Sequence, residues 1–238
     1  METPIDNAMT TIPCPSNLAT ARFRDRDSPA DTNPHSSFWD GAPSVIAEAD
    51  AFGDPVPELK TEVLAQWTSD NLYFLFICPY HELNLKPAPT VLEESYELWN
   101  WDVAEVFIGS DFENIRRYKE FEVSPQGEWV DLDIDLDSPH PEDGWIWKSG
   151  LETSARIDPV GKLWYGFMRI PYSSIDDQPA AAENVLRINF YRSQGPESNC
   201  KEIAWQPTYK QTFHAPQVFG TLRLARDRQS GRDDFRSA

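Results

Sequence analysis

The chain has 238 residues, 21 of them basic and 39 acidic, for a formal charge of −18 and a pI of about 4.5. Such a polyanion argues against nucleic acid and anionic membranes as partners, since both carry the same sign of charge, and it suits neutral ligands and cations. Aromatics make up 13% of the chain, with 9 Trp at a mean hydropathy of −0.55, which is more indole than a core needs.

Residues 1–35 are rich in Thr, Pro, Ser, Asn and Asp without periodicity and read as an extended or partly disordered arm, with room for one extended segment. The opening METPIDNAMTTIPCPSNL has neither a basic n-region nor an apolar h-region, so no signal peptide is expected and the default location is cytoplasmic. A start site set too far downstream would hide a leader and make the protein secreted or periplasmic. No window reaches the length of a membrane-spanning helix.

Short strand candidates then follow one another, punctuated by turn residues, with 20 Pro and 11 Gly in the whole chain. TEVLAQW (61–67) and NLYFLFIC (71–78) flank Thr68-Ser69-Asp70, a hairpin signal. The second run is apolar almost throughout, as a strand buried on both faces would be. DVAEVFIG, YKEFEVS and EWVDLDID come next, the last two separated by Pro125-Gln126-Gly127. LETSARID, KLWYGFMRI, VLRINFYR, KEIAWQP and VFGTLRL complete the set, and the tail 226–238 is charged. About ten short strands and no long helix predict one all-β domain over 36–225, an antiparallel β-sandwich. Cys14, Cys78 and Cys200 are odd in number and lack CxxC spacing, so neither a disulfide framework nor a zinc site is expected; Cys78, ending an apolar run, is a buried thiol.

In LWNWDVAEVFIGS (98–110) an extended backbone would put Trp99, Trp101, Val103, Glu105 and Phe107 on one face. A carboxylate among aromatics is either an edge group in water or one placed to meet something. In EWVDLDIDLD (128–137), Asp131, Asp133, Asp135 and Asp137 alternate with Val130, Leu132, Ile134 and Leu136. Like charges at ~7 Å along one strand face repel unless water, basic neighbours or a cation intervenes. The column is therefore a solvated strand face or a Ca²⁺ site near one end; its oxygens are the right donors, but the EF-hand pattern is absent.

Catalytic signatures are scarce. There is no GxSxG, no HExxH and no Gly-rich phosphate loop, and His35, His81, His140 and His214 lie in turn-like settings. Paired carboxylates could serve glycoside hydrolysis, with Glu105 and Glu122 the best candidates because both sit on strands. Carbohydrate binding fits better, because a sugar's C–H face stacks on indole while its hydroxyls need carboxylate, amide and guanidinium partners. Trp99 with Glu105 offers both, and Arg187, Asn189, Arg192, Trp205 and Gln206 add further partners.

The runs WNWDVAEVFIG, YKEFEVSPQGEWVD, NFYR, WQPT and FHAPQVFGTL, in that order over about residues 36–225, resemble the family 9 carbohydrate-binding modules. More closely, they resemble the free-standing bacterial carbohydrate-binding family 9-like proteins. The resemblance implies a jelly-roll-like β-sandwich of the DOMON-like group, structural Ca²⁺ in some members, and a non-catalytic sugar site, often for chain ends. It makes Trp99 the first clamp tryptophan, Glu105 the hydrogen-bonding glutamate at the same W-x5-E spacing, and Trp205 the opposite wall; Trp101 and Asn189 lie beside them. Where the xylanase-linked modules carry an arginine in the next strand, this chain carries Glu122, and Arg192 is the replacement donor. Haem-binding relatives ligate iron through Met and His; here Met168 shares a face with Trp164 and Ile170, which points to core packing, and no haem is expected.

The sequence thus predicts a monomeric, non-catalytic carbohydrate-binding protein supporting polysaccharide breakdown, with a separate glycoside hydrolase as partner. A haem-binding electron-transfer domain and a glycoside hydrolase are the alternatives.

Overall fold

The computed structural model describes residues 16–226. The readings made for residues 1–15, Cys14 among them, and for the tail beyond Arg226 lie outside these. The strands are β1 (Leu18–Phe23), β2 (Ser44–Ala47), β3 (Ala49–Asp50), β4 (Thr61–Trp67), β5 (Asn71–Pro79), β6 (Val103–Gly109) and β7 (Arg117–Val123). They continue with β8 (Trp129–Asp135), β9 (Glu152–Asp158), β10 (Leu163–Pro171), β11 (Val185–Gln194), β12 (Lys201–Ala204) and β13 (Gly220–Ala225). The helical elements among the described residues are short 3-10 turns, and none is long and apolar enough to cross a membrane.

The strands join in the order β8-β7-β6-β11-β13-β1-β4-β5-β10-β9. The two ends of this path fold over one another as a β-sandwich. Alternate residues of β6 (Ala104, Val106, Ile108), β7 (Phe121, Val123) and β11 (Leu186, Ile188, Phe190) point inward. They meet Leu72, Phe74, Phe76 and Cys78 of β5 and Trp164, Met168 and Ile170 of β10. Edge-on contacts of Phe190 with Phe74 and Phe76, at 5.4 and 6.0 Å, close the space between the layers. Met168 and Cys78 both lie in this core, fully buried.

β5 is apolar on both sides because it is covered on both. Its Tyr73 and Leu75 face a second cluster with Trp39, Leu64 and Phe167, roofed by Phe38 from the segment before β2. The β4–β5 hairpin turns at Thr68, whose amide bonds the Asn71 carbonyl at 2.9 Å. The β7–β8 hairpin turns at Gly127, whose φ of +89° a side chain would resist.

β1 takes up the one extended segment that the arm left room for. Two features depart from the sequence reading. β1 runs parallel to both neighbours, pairing Leu18 with Thr221 of β13 and Phe23 with Trp67 of β4. The sandwich is therefore not wholly antiparallel. Among the described residues it also contains thirteen strands, because the short β2, β3 and β12 supplement the main ones.

Candidate functional site

The outer face of the β8-β7-β6-β11 layer carries the residues that alternate with the inward ones. Glu105 and Phe107 of β6 stand beside Glu120 and Glu122 of β7, with Glu105 paired to Glu122 and Phe107 to Glu120. Tyr191 of β11 is the partner of Glu105 on its other side. Leu132 and Ile134 of β8 extend the face beyond β7. Most of an exposed sheet face would be polar; this one is apolar because chain folds back over it. Leu98, Phe107, Tyr118, Val130, Leu132, Ile134 and Tyr191 form a buried cluster there, against which Trp99, Leu136, Trp145, Phe213 and Phe219 pack.

A pocket of about 330 Å³ remains open in that cover. Trp99, Phe107 and Phe213 contribute aromatic surface to it, while Glu105, Glu120, Ser193, Glu202 and His214 supply polar groups. Phe213 is held flat against Tyr191, with ring centroids 4.2 Å apart and planes 13° from parallel. His214 follows it on the same loop, and its Nδ1 lies 2.6 Å from the Tyr118 hydroxyl.

Trp99 reaches this pocket, though by a different route from the one an extended backbone would give. Leu98–Asn100 is a 3-10 turn, entered through Glu97 in the left-handed region at φ 60°, and the strand begins only at Val103. Trp99 is half-buried in the turn and meets Tyr96 edge-on at 5.3 Å. The turn breaks the alternation, so Trp101 does not share Trp99's face and does not line the pocket.

Three other candidate residues do not line the pocket, each for a structural reason. Trp205 is 4% exposed in the inter-sheet core, 5.7 Å from Phe190. Arg192 neighbours Tyr191 on β11 and so points to the other face, where it is completely buried. There it donates to the Thr61 hydroxyl at 3.0 Å, the Pro79 carbonyl at 2.5 Å and the Gln194 side chain. Asn189 is on the pocket's face, but its amide is spent on the Tyr191 hydroxyl at 2.6 Å and the Gln206 carbonyl at 2.8 Å.

The carboxylates differ sharply between the two faces of the layer. On the side opposite the pocket, Asp133, Asp135 and Asp137 are met by Lys119 (2.6 Å), Arg117 (2.9 Å) and Arg116 (2.6 Å). Asp131 accepts bonds from the Ser149 amide, at 3.0 Å, and hydroxyl. The column, read as a solvated strand face or a Ca²⁺ site, is thus mostly answered by bases on or beside the neighbouring strand.

On the pocket side, Glu105, Glu120 and Glu122 are 2%, 4% and 0% exposed and place one oxygen each within 4.8 Å of one another. No N–H or hydroxyl donor of the protein meets either oxygen of Glu122 or Oε2 of Glu120. Burial, then the charges of Glu120 and Glu202, pushes the Glu105 carboxyl well above its usual range, with a bond from Ser193 opposing. Burial, then Glu105 and Glu120, does the same to Glu122. Glu120 is raised by burial, with His214 and a hydrogen bond shared with Glu122 opposing. The pocket's aromatic and polar residues that the sequence did not single out are Phe213, Glu120, Ser193 and Glu202. Only Glu120 left a signal, as the first of two glutamates alternating in KEFEV.

No family model matches the sequence, and no curated protein matches it in sequence. Solved structures do match the fold. A family 9 carbohydrate-binding module from Caldicellulosiruptor kristjanssonii, in complex with cellotriose, aligns with a TM-score of 0.65 at 11% identity, over 89% of this chain and 95% of its own. A module of that family from the same organism, in complex with glucose, gives 0.63 at 11% identity over 90% and 99%. A candidate carbohydrate-binding protein from Bacteroides uniformis ATCC 8492 gives 0.67 at 14% identity over 87% and 98%. At such low identity the likeness is one of architecture: this chain has the β-sandwich fold of the family 9 carbohydrate-binding modules.

Proposed function

We propose that the chain is a non-catalytic carbohydrate-binding module whose sugar sits in the outer-face pocket. The observation that carries this reading is the pocket's composition: the half-buried indole of Trp99 and the stacked ring of Phe213 share one cavity with Glu105, Glu120 and Ser193. Aromatic faces take a sugar's C–H surface, and the polar groups take its hydroxyls. The likeness of fold to modules crystallised with cellotriose and glucose supports the same reading. Phe213 here replaces Trp205 as the second aromatic surface. A role in polysaccharide breakdown, beside a separate hydrolase, follows from the proposal.

A hydrolase needs its two carboxylates on either side of a glycosidic bond, with the bond between them. Glu105 and Glu122 are cross-strand neighbours, and Glu122 does not line the pocket. That arrangement favours binding over cleavage. An open pocket with few hydrogen bonds suits dissociation constants of about 1 μM to 1 mM.

The test is calorimetric titration with cellotriose, xylobiose and glucose, following tryptophan fluorescence in parallel. Saturable heat with a fluorescence change supports the reading. Neither signal with any of the three sugars would sink it.

A further inference from the structure

We propose that Glu105, Glu120 and Glu122 form a binding site for a divalent metal cation, Ca²⁺ by the hardness of the donors, at the base of the outer-face pocket. The proposal concerns the three acids alone and holds whether or not the pocket takes a sugar.

The argument begins with where the chain supplies counter-charge. On the far face of the same layer Asp133, Asp135 and Asp137 each have a basic partner from the strand β7 or the residue just before it. Among the described residues, Glu105, Glu120 and Glu122 have no ion pair with lysine or arginine, although they are far more deeply buried. The arrangement is built into the sheet. Glu105 and Glu122 are a directly opposed pair across β6 and β7, and Glu120 lies two residues before Glu122, on the same face. A face that needed only to be covered would carry apolar residues at these positions, as it does at Phe107 and Tyr118.

The second observation is the state of the oxygens. Glu122 is wholly buried, and no N–H or hydroxyl donor of the protein meets either of its oxygens or Oε2 of Glu120; the Glu120 and Glu122 carboxyls have only each other, through a shared proton. Buried polar atoms are nearly always satisfied, so several acceptors without such a donor, converging on one point, mark a missing partner with positive charge. The three ligand oxygens lie within 4.8 Å of one another. Two oxygens on opposite sides of Ca²⁺, bound at about 2.3–2.6 Å, are separated by about 5 Å, so one ion can bridge the set. Ca²⁺ accepts 6–8 oxygens. Its remaining positions would be open toward the pocket, which Glu105 and Glu120 line, for water or a ligand's hydroxyls.

The experiment uses the full chain after chelator treatment and exchange into calcium-free buffer. CaCl₂ is titrated calorimetrically and thermal denaturation is followed with and without it. One saturable site together with a raised melting temperature is expected. Glu122→Gln should weaken Ca²⁺ at least about tenfold, the lower bound for disturbing a metal's surroundings, while retaining a cooperative melt. Asp133→Asn, on the far face, should bind as the wild type does. If Glu122→Gln fails to fold, Glu105→Gln replaces it with the same expectation.

No heat and no change in melting temperature with CaCl₂ would overturn the proposal. So would unchanged affinity in a folded glutamine variant, which would place the ion on surface acids. Stabilisation by methylammonium chloride but not by CaCl₂ would also overturn it, assigning the cluster to an organic amine. Titrating cellotriose with and without CaCl₂ separates the two readings. Ca²⁺ binding without sugar binding supports this inference and sinks the sugar proposal. Sugar binding without any Ca²⁺ binding does the reverse.

Discussion

Glu105 and Glu122 face each other across the β6–β7 pair, and both are buried. Two such acids resemble a catalytic pair in sequence, and their placement on strands is what made them candidates. Their geometry is unsuited to glycoside cleavage, because only one of the two reaches the pocket. The purified protein should therefore release no reducing sugar from glucan or xylan above a buffer blank at about pH 6, near the raised pKa of a glycosidase's general acid. Release that is lost in Glu105→Gln would restore the hydrolase reading.

Trp99 and Phe213 should divide sugar binding between them. Trp99→Ala should raise the dissociation constant at least about tenfold, equivalent to ~1.4 kcal/mol. Phe213→Ala should weaken binding in the same direction, since its ring lies on Tyr191 and contributes one of the pocket's flat surfaces. Trp99 is only half-buried, so its removal should cost less stability than the ~3–5 kcal/mol of a core tryptophan. Calorimetry and chemical denaturation on the same variants check both statements; unchanged affinity in Trp99→Ala would show that the indole is not the platform.

Much of the fold could be read from alternation. NLYFLFIC and EWVDLDID gave β5 and β8 because their patterns report which faces are covered. β1 was obscured because its inward residues, Ala19 and Ala21, are too small to make a hydrophobic signal. Trp99 and Glu105 do share a pocket, yet the period-two argument that grouped them with Trp101 fails at the 3-10 turn. Glu97 occupies a left-handed conformation that a glutamate does not advertise. Phe213 was invisible for another reason: its place depends on a loop folding back onto β11, and local sequence carries no trace of that contact.

Trp205 illustrates how a tryptophan in a promising run can be spent on the core. Its indole also fixes the glycine beside it, since a Cβ on Gly220 would come within 2.6 Å of the ring. Trp205→Ala should lower unfolding stability by ~3–5 kcal/mol. Where the variant remains folded, its sugar affinity should match the wild type's. A selective loss of affinity without loss of stability would return Trp205 to the binding site.

Beyond the pairing of β1 with β4, a carboxylate of the N-terminal segment binds the β4–β5 hairpin, and that tie should depend on pH. Asp27 accepts hydrogen bonds from the Thr68 hydroxyl (2.6 Å), the Tyr73 hydroxyl (2.6 Å) and the Asn71 amide (3.1 Å). Burial alone would raise its pKa, but these three bonds, helped by the charge of Arg169, outweigh burial and lower it. A carboxyl whose folded pKa is depressed stabilises the fold above its unfolded value of about 3.9, and that contribution is lost as pH falls through the folded value. Asp27→Asn removes the ionisable group while keeping the shape. The gap in melting temperature between wild type and Asp27→Asn should therefore be full at about pH 6 and narrow as the pH approaches about 3. Because Asp27 is largely exposed, solvent screens the contribution and the gap should be modest. A gap that stays constant across this range would mean that the bonds stabilise the fold equally well with the carboxyl protonated.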